Sequence, residues 1–326
     1  MTVAAAKRAS PGRRLRDLLA SEKPVPTVWG GIAQHAQLAE ATGFKVFGVS
    51  GSNVSTNTLG LPDAGFITLT ELAEATDRIC QAVNMPVIVD CDTGFGNAIN
   101  ARRTVKSMIR AGAAGLFMED QVAPKRCGFV KGKEMIPLEE AVGKYKACLD
   151  MRDEMDPDFV IIARTDARGA VGGGMDEVFR RGEAYLEAGI DMLYVEALQT
   201  REEIRAVRER FPECLLMITT MAIDPPMSQA ELRELNVALV GFHIARVGAI
   251  AMYDFLTKYQ TEGDKVWIDF WQSTKNHPLG GFRIFDLTGF PEVVKLEQKY
   301  LPAEKLERYD SSIGAYDPRQ SKPAAE

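Results

Sequence analysis

The sequence predicts a (β/α)8 TIM barrel of the α/β class, and three observations carry that expectation. Short apolar runs alternate with amphipathic segments, several of those segments close on a glycine just before the next run, and polar or charged residues follow the runs directly. Alternation of this kind implies parallel strands joined by helical crossovers, and eight units in roughly 250 residues suit a closed barrel. A doubly wound open sheet is the alternative.

In chain order the expected strands are Val25 to Gly30, Lys45 to Ser50, Pro86 to Asp90, Gly115 to Met118, Phe159 to Ala163, Met192 to Val195, Leu215 to Thr219 and Ala238 to Phe242. Helical patterns fill the gaps: Ala33 to Ala41, Leu69 to Val83, Ala98 to Ala111, Leu138 to Glu154, Met175 to Ala188, Arg201 to Phe211, Gln229 to Leu235 and Ile244 to Tyr259. Ala41-Thr42-Gly43, Ala111-Gly112 and Ala188-Gly189 are the stop signals expected where a helix hands over to a strand. Residues 1–13 are expected to be a flexible segment, 14–308 the barrel with a C-terminal helical extension, and 309–326 a flexible tail.

Composition narrows the function classes. The chain has 326 residues, 46% hydrophobic and 26% charged, enough for a large core. A net charge of -6 offers no basic footprint for nucleic acid or an anionic membrane, so the expected partner is a small molecule. Five cysteines without CxxC spacing favour a reducing compartment, and the basic N-terminus lacks an apolar core, so a cytoplasmic enzyme is expected, with a transit peptide as the alternative.

In such a barrel the chemistry belongs at the C-terminal ends of the strands. There stand Ser50-Gly51-Ser52, then Asp90 and Asp92, Glu119 and Asp120, Arg164 and Asp166, Glu196, Thr219 and His243. Asp90 and Asp92 would share one face if the strand continued through Cys91, and with Glu119 they form a hard oxygen set suited to Mg2+, with Mn2+ as the alternative ion. Each residue also has a plainer reading. Asp90 and Asp92 could cap a turn, Arg164 and Asp166 could be a local ion pair, Glu196 could orient a neighbour, His243 could be a satisfied core histidine, and Ser50-Gly51-Ser52 could be an ordinary turn. Cys127 lies in a polar loop between Lys125-Arg126 and Gly128, and the neighbouring cations favour a thiolate or a readily shared proton; an inert exposed thiol is the alternative.

These residues together resemble the isocitrate lyase and phosphoenolpyruvate mutase superfamily over most of the chain. The matching segments are Ser50-Gly51 with Gly60-Leu61-Pro62-Asp63, Asp90 to Asn97, Glu119-Asp120-Gln121, Lys125-Arg126-Cys127-Gly128 and Ala163 to Ala167. The cysteine loop is similar to that of the lyase branch. The resemblance implies a Mg2+-dependent lyase with a gating loop, assembled as a dimer of dimers that exchanges its last barrel helix, Trp267 to Tyr300 including the exchanged portion. It implies that Asp90, Asp92 and Glu119 serve the metal, that Cys127 is the acid, and that Ser50, Gly51, Ser52, Asp90, Gly128, Arg164 and Glu196 line the substrate, with Arg164 also steadying the oxyanion.

The departures from the family pattern point to a substrate of a different shape. Gly48 stands where a tyrosine is usual, so the base is unassigned. Gly30-Gly31-Ile32, Phe129 and Ile218-Thr219-Thr220-Met221 replace more polar residues. An outer pocket that is roomier and more apolar is expected, which suits an alkyl-substituted malate. Hydrolysis of oxaloacetate or a phosphonopyruvate-like acid on the same site, and a non-catalytic binding barrel, remain the alternatives.

Overall fold

The computed structural model describes residues 9–320, which divide by contact into one unit ending at Ala245 and a second beginning at Arg246. The first unit holds strands β1 (Val25–Gly30), β2 (Val46–Val49), β3 (Val87–Asp90), β4 (Gly115–Glu119), β5 (Val160–Thr165), β6 (Met192–Val195), β7 (Leu215–Ile218) and β8 (Leu239–His243). They are parallel and close in sequence order, β8 pairing back onto β1 through Val25 with Leu239 and Trp29 with His243. This is the expected barrel, and the open-sheet alternative falls away.

Helix α1 (Pro11–Ser21) precedes the barrel. Between strands run α2 (Ala33–Ala41), the short α3 (Gly51–Val54), α4 (Leu69–Ala82), α5 (Ala98–Arg110), α6 (Leu138–Met155), α7 (Met175–Ala188), α8 (Arg201–Arg210) and α9 (Gln229–Glu234). Their limits follow local chemistry. Thr68 with Glu71 and Ser228 with Glu231 form capping boxes at the starts of α4 and α9, and Gly189, at φ 98°, ends α7.

Strand residues sort by the two-residue period into two cores. Val28, Phe47, Val89, Leu116, Ile161, Leu193 and Leu216 pack with helix residues such as Leu72, Val105 and Tyr185. Trp29, Val46, Ile88, Phe117, Ile162, Tyr194 and Met217 form the inner cluster, which Leu15 and Leu19 of α1 join. Arg16 fixes that helix by pairing with Asp191 at 2.7 Å.

Two boundaries differ from expectation, at either end of the chain. Pro11 already opens α1, with Ser10 accepting from the Arg13 N–H as its cap, so helix begins inside the segment expected to be flexible; residues 1–8 lie outside the described residues. The contact division at Ala245 and Arg246 falls within the stretch 14–308, expected as a barrel with a C-terminal helical extension. Of the expected flexible tail 309–326, residues 321–326 lie outside the described residues and 309–320 carry specific contacts: the Tyr316 ring packs on Phe285 at 5.3 Å and Phe290 at 5.8 Å, and Arg319 pairs with Asp310 and Asp317. Aromatic packing of that kind offsets the entropy of ordering a polar segment.

The second unit continues helix α10 (Ile244–Glu262), then α11 (Asp264–Ser273), α12 (Ile284–Leu287), α13 (Phe290–Tyr300) and α14 (Ala303–Glu307). An edge-to-face and stacked series through Phe255, Trp267, Trp271, Phe282 and Phe285 holds it together. No residue of α10 is buried. Among the described residues no helix is long and apolar enough to cross a membrane.

Candidate active site

The strand ends bring most of the expected residues to one place. Strand β3 stops at Asp90, and Cys91 turns into the core, fully buried. Asp92 therefore reaches Asp90 through a left-handed turn (φ 44°), not by strand alternation, and its N–H donates to Asp90 Oδ1 at 3.2 Å. Aspartate tolerates that backbone region better than most side chains. Both carboxylates converge on Gly51: its N–H donates to Asp90 Oδ2 at 3.3 Å, and a β-carbon there would stand 2.9 Å from Asp92 Oδ1. Ser50 Oγ is used as the cap of α3, accepting from the Asn53 N–H at 3.3 Å, while Ser52 lies on α3 without burial.

Glu119 ends β4 and Arg164 lies near the end of β5, paired in register. Arg164 donates to both oxygens of Asp166, Nε to Oδ2 at 2.9 Å and Nη2 to Oδ1 at 3.2 Å, and its Nη2 lies 3.1 Å from Glu119 Oε2. The guanidinium also sits over the Tyr194 ring at 5.3 Å and the Phe117 ring at 5.9 Å. The local ion pair is thus present, alongside whatever else the arginine binds. Burial works against the Arg164 charge, but Asp166 and Glu119 outweigh it and hold the proton firmly. For Asp166 burial opposes ionisation and the two cations Arg164 and Lys133 override it, so its carboxyl lies below the usual range.

Glu119 and Asp92 are the unsettled members. Glu119 Oε1, Glu119 Oε2 and Asp92 Oδ1 are buried without an aligned hydrogen bond, even though Arg164 and Lys125 nitrogens approach Oε2 and Oδ1 to 3.1 Å. Proximity is there; direction is not. Burial drives the Glu119 carboxyl well above its ordinary range with Arg164 opposing, and drives Asp92 up to about 6 with Lys125 opposing. Buried oxygens left this way are costly and call for an ion or water. Among the described residues no three carboxylate, histidine or cysteine side chains converge as a ready-made chelate. The set therefore fits an ion that takes one or two carboxylates and keeps its own waters, which is the habit of Mg2+.

The cysteine loop corrects one expectation. Lys125, almost wholly buried, ion-pairs with Asp63 and with Asp92 Oδ1. Arg126 is held through its backbone by both ends of the Gln121 amide, at 2.9 and 3.0 Å. Cys127 is half-buried, and Asp63 accepts a hydrogen bond from it. Burial, then the Asp63 charge, raise the thiol above its ordinary value and outweigh the Phe129 N–H and Lys125. Lys125 is spent on carboxylates and Arg126 is held by its backbone, so burial and Asp63 together favour the thiol over the thiolate.

Gly128 is required for closeness. A β-carbon there would meet Glu196 Oε1 at 2.3 Å, and its carbonyl accepts from Lys133 Nζ at 2.6 Å. Glu196 is buried and accepts from Tyr194 OH, so it supports the loop from beneath. His243 Nδ1 lies 3.3 Å from Asn53 Oδ1, a partnered histidine as the plainer reading had it.

The pocket is not roomier at the glycines. A β-carbon on Gly48 would stand 2.1 Å from the Trp29 ring, one on Gly30 2.8 Å from Phe47 and His35, and one on Gly31 2.5 Å from the Asn53 backbone. Those glycines make space for packing, chiefly of one indole, which itself touches Phe117 edge to face at 5.6 Å. Sequence reasoning named Asp63 and Asp120 only within motifs, gave them no partner, and missed Arg181 and Tyr185. Asp120 accepts from Tyr185 OH at 2.7 Å and Arg181 Nη1 at 3.1 Å, and so is engaged behind the site.

Comparison with known proteins gives the family. The family model described as phosphoenolpyruvate phosphomutase matches residues 15–258. The chain is 35% identical over 297 residues to 2,3-dimethylmalate lyase of Eubacterium barkeri, covering 88% of this chain and 97% of that protein. It is 40% identical over 243 residues to 2-methylisocitrate lyase of Escherichia coli (strain K12), covering 74% and 81%. Among solved structures, a phosphonopyruvate hydrolase complex with oxalate and Mg2+ superimposes with a TM-score of 0.79 at 30% identity, over 90% of this chain and all of that one. The chain belongs to the phosphoenolpyruvate mutase and isocitrate lyase superfamily, whose lyases and hydrolases act on small 2-oxo or 2-hydroxy acids.

Proposed function

We propose that the protein is a Mg2+-dependent carbon-carbon lyase that cleaves a substituted, alkylmalate-like 2-hydroxy dicarboxylate to a 2-oxo acid and a carboxylic acid. The observation that carries this reading is the pairing of buried, unaligned carboxylate oxygens on Asp92 and Glu119 with a half-buried, protonated thiol at Cys127. Asp90 and Asp92 would hold the ion directly or through water, and Glu119 would orient its waters. When bound, the ion supplies positive charge to the substrate oxygens.

The chain's own residues then divide the remaining work. Arg164, with Nε and Nη2 engaged by carboxylates, offers its remaining edge to the carboxylate and oxygen of the 2-oxo acid, which Ser50 and Gly51 would also grip. A base, to which no residue is assigned, takes the 2-hydroxyl proton, C2 becomes the carbonyl of the 2-oxo acid as the C2–C3 bond breaks, and the electron pair of that bond is left on carbon of the departing acid. Cys127 donates its proton there, a role that needs the thiol form. Gly128 and Glu196 hold the loop over the substrate and exclude water. Binding energy for an alkyl arm fits the lyase relative that acts on dimethylmalate by name.

We place the enzyme in a cytoplasmic, reducing setting, where five free thiols persist, and as a tetramer of two dimers that exchange C-terminal helices. Support for the assembly is that α10 exposes Val247, Ile250, Met252, Tyr253 and Leu256, while Phe242 on β8 is 42% exposed. Light scattering on the purified chain tests it, and a monomer would end that part of the reading.

The decisive assay is product detection by NMR with Mg2+ and a panel of alkylated malates, other 2-hydroxy dicarboxylates, oxaloacetate and phosphonopyruvate. Release of a 2-oxo acid with a second carboxylic acid, lost with EDTA and in Cys127→Ser, is the expected result. Turnover of oxaloacetate or phosphonopyruvate that survives Cys127→Ser would replace the lyase with a hydrolase.

A further inference from the structure

Lys133 is one of the most completely buried polar side chains, about 2% exposed, yet it sits on the loop that carries Cys127. Its Nζ donates to the Gly128 carbonyl at 2.6 Å and to Asp166 Oδ1 at 2.8 Å. Its own carbonyl accepts from Val171 N–H at 2.9 Å, and Gly169 leaves just enough room that a β-carbon there would meet Nζ at 3.4 Å. Asp166 is in turn fixed by its N–H to Asp120 Oδ1 at 3.0 Å and grips Arg164 with both oxygens. A continuous chain of charged hydrogen bonds thus runs from Arg164 through Asp166 and Lys133 to the residue next to Cys127.

Neutralising Asp166 does not require this lysine. Arg164 already pairs with both carboxylate oxygens, and burying a second ammonium is expensive unless its remaining bonds do something. What Lys133 adds is a bond to the loop backbone beside the thiol. An anion arriving at Arg164 competes with Asp166 for the guanidinium, so Asp166 leans more on Lys133 and the ammonium becomes more firmly fixed. Glu196, pressed against Gly128 from the other side and charged toward Arg164, feels the same event.

We infer that Lys133 is a positioning residue that couples anion occupancy at Arg164 to the placement of the Cys127 loop, so that the acid is brought to bear only when the 2-oxo acid end of the substrate is seated. The inference rests on the proposed role of Arg164 as the anion contact. It goes beyond that role by assigning the link between the binding contact and the acid.

The test uses the full chain with Mg2+ and oxalate as the probe, reading the rate of Cys127 alkylation by peptide mass spectrometry, with the half-buried Cys80 and Cys214 as reference thiols. Oxalate is expected to slow Cys127 alkylation about tenfold in the native chain, a typical coupling between sites, and to leave the reference thiols unchanged. In Lys133→Gln, oxalate affinity by calorimetry should hold within about threefold while protection falls below about twofold, and Lys133→Arg should restore protection. Lys133→Met, which keeps the length of the side chain and removes its donors to the Gly128 carbonyl and Asp166, is the second variant should Lys133→Gln not fold; it too should bind oxalate without protecting Cys127. Undiminished protection in the variant that folds overturns the inference, as does a native chain that binds oxalate without protection. A native chain that binds no oxalate at all overturns the reading of Arg164 itself, and the coupling with it.

Discussion

Trp29 occupies the space that any side chain at Gly48 would need: a β-carbon on Gly48 would lie 2.1 Å from the indole Cε3. The two residues are also paired in register across β1 and β2, so neither backbone can retreat without disturbing the barrel. Gly48→Ala should therefore cost about 1–3 kcal/mol of stability in urea unfolding, the usual penalty for overpacking a rigid core. Adding Trp29→Leu should recover part of it, giving a coupling of about 1 kcal/mol or more in the double-mutant cycle. Strict additivity would mean the indole is not what excludes the side chain.

Cys127 should behave as a reluctant thiolate. Its folded pKa is raised, so at neutral pH the reactive form is scarcer than in an ordinary cysteine, and alkylation without ligand should climb through a midpoint above that of a free thiol. Asp63→Asn removes the charge that raises it and releases Lys125 toward the sulfur, so the midpoint should fall. A plateau already reached near neutral pH in the native chain would contradict the protonated-acid role.

Glu119 presents a trade of stability for binding. Glu119→Gln removes a buried charge whose oxygens have no aligned hydrogen bond, so stability without metal should stay within about 1 kcal/mol of the native value or rise. The same change should abolish most of the rise in melting temperature that saturating Mg2+ gives the native chain, because ligand stabilisation scales with affinity. Thermal melts with Mg2+ and with EDTA separate the two effects; a full Mg2+ response in Glu119→Gln would remove Glu119 from the ion's surroundings.

Asp120 predicts the opposite balance. It satisfies Arg181, Tyr185 and the Asp166 N–H at once, so Asp120→Asn takes from a buried guanidinium its buried carboxylate partner, leaves it the partly exposed Glu177, and disturbs two further bonds behind it. A loss of about 3–5 kcal/mol in denaturant unfolding is expected, as for other buried pairs broken on one side. A change under about 1 kcal/mol would show that the tyrosine and backbone contacts carry the load instead.

The barrel was legible because its signals are local. The apolar run Met192 to Val195 and the helical stretch Met175 to Ala188 could be placed to the residue, since alternation, caps and Gly189 act over a few positions. Candidate site residues were also legible as types at strand ends, because charges next to apolar strands need a reason. Side-chain direction was not. Lys125 and Arg126 flank Cys127 in sequence, but the first reaches Asp63 and Asp92 and the second is clasped by Gln121, so adjacency misjudged the thiol's field.

By itself the sequence determined the parallel barrel, its family and the set of oxygens and one sulfur at its mouth, because periodicity and motif spacing are properties of the chain. Only the tertiary structure decided which charge faces which. It turned Asp92 back onto Asp90 through a left-handed residue, filled the apparent room at Gly48 with Trp29, and ran the buried line from Arg164 through Asp166 to Lys133. Electrostatic interaction depends on distance and burial between residues far apart in the chain, and those quantities exist only once the barrel has closed.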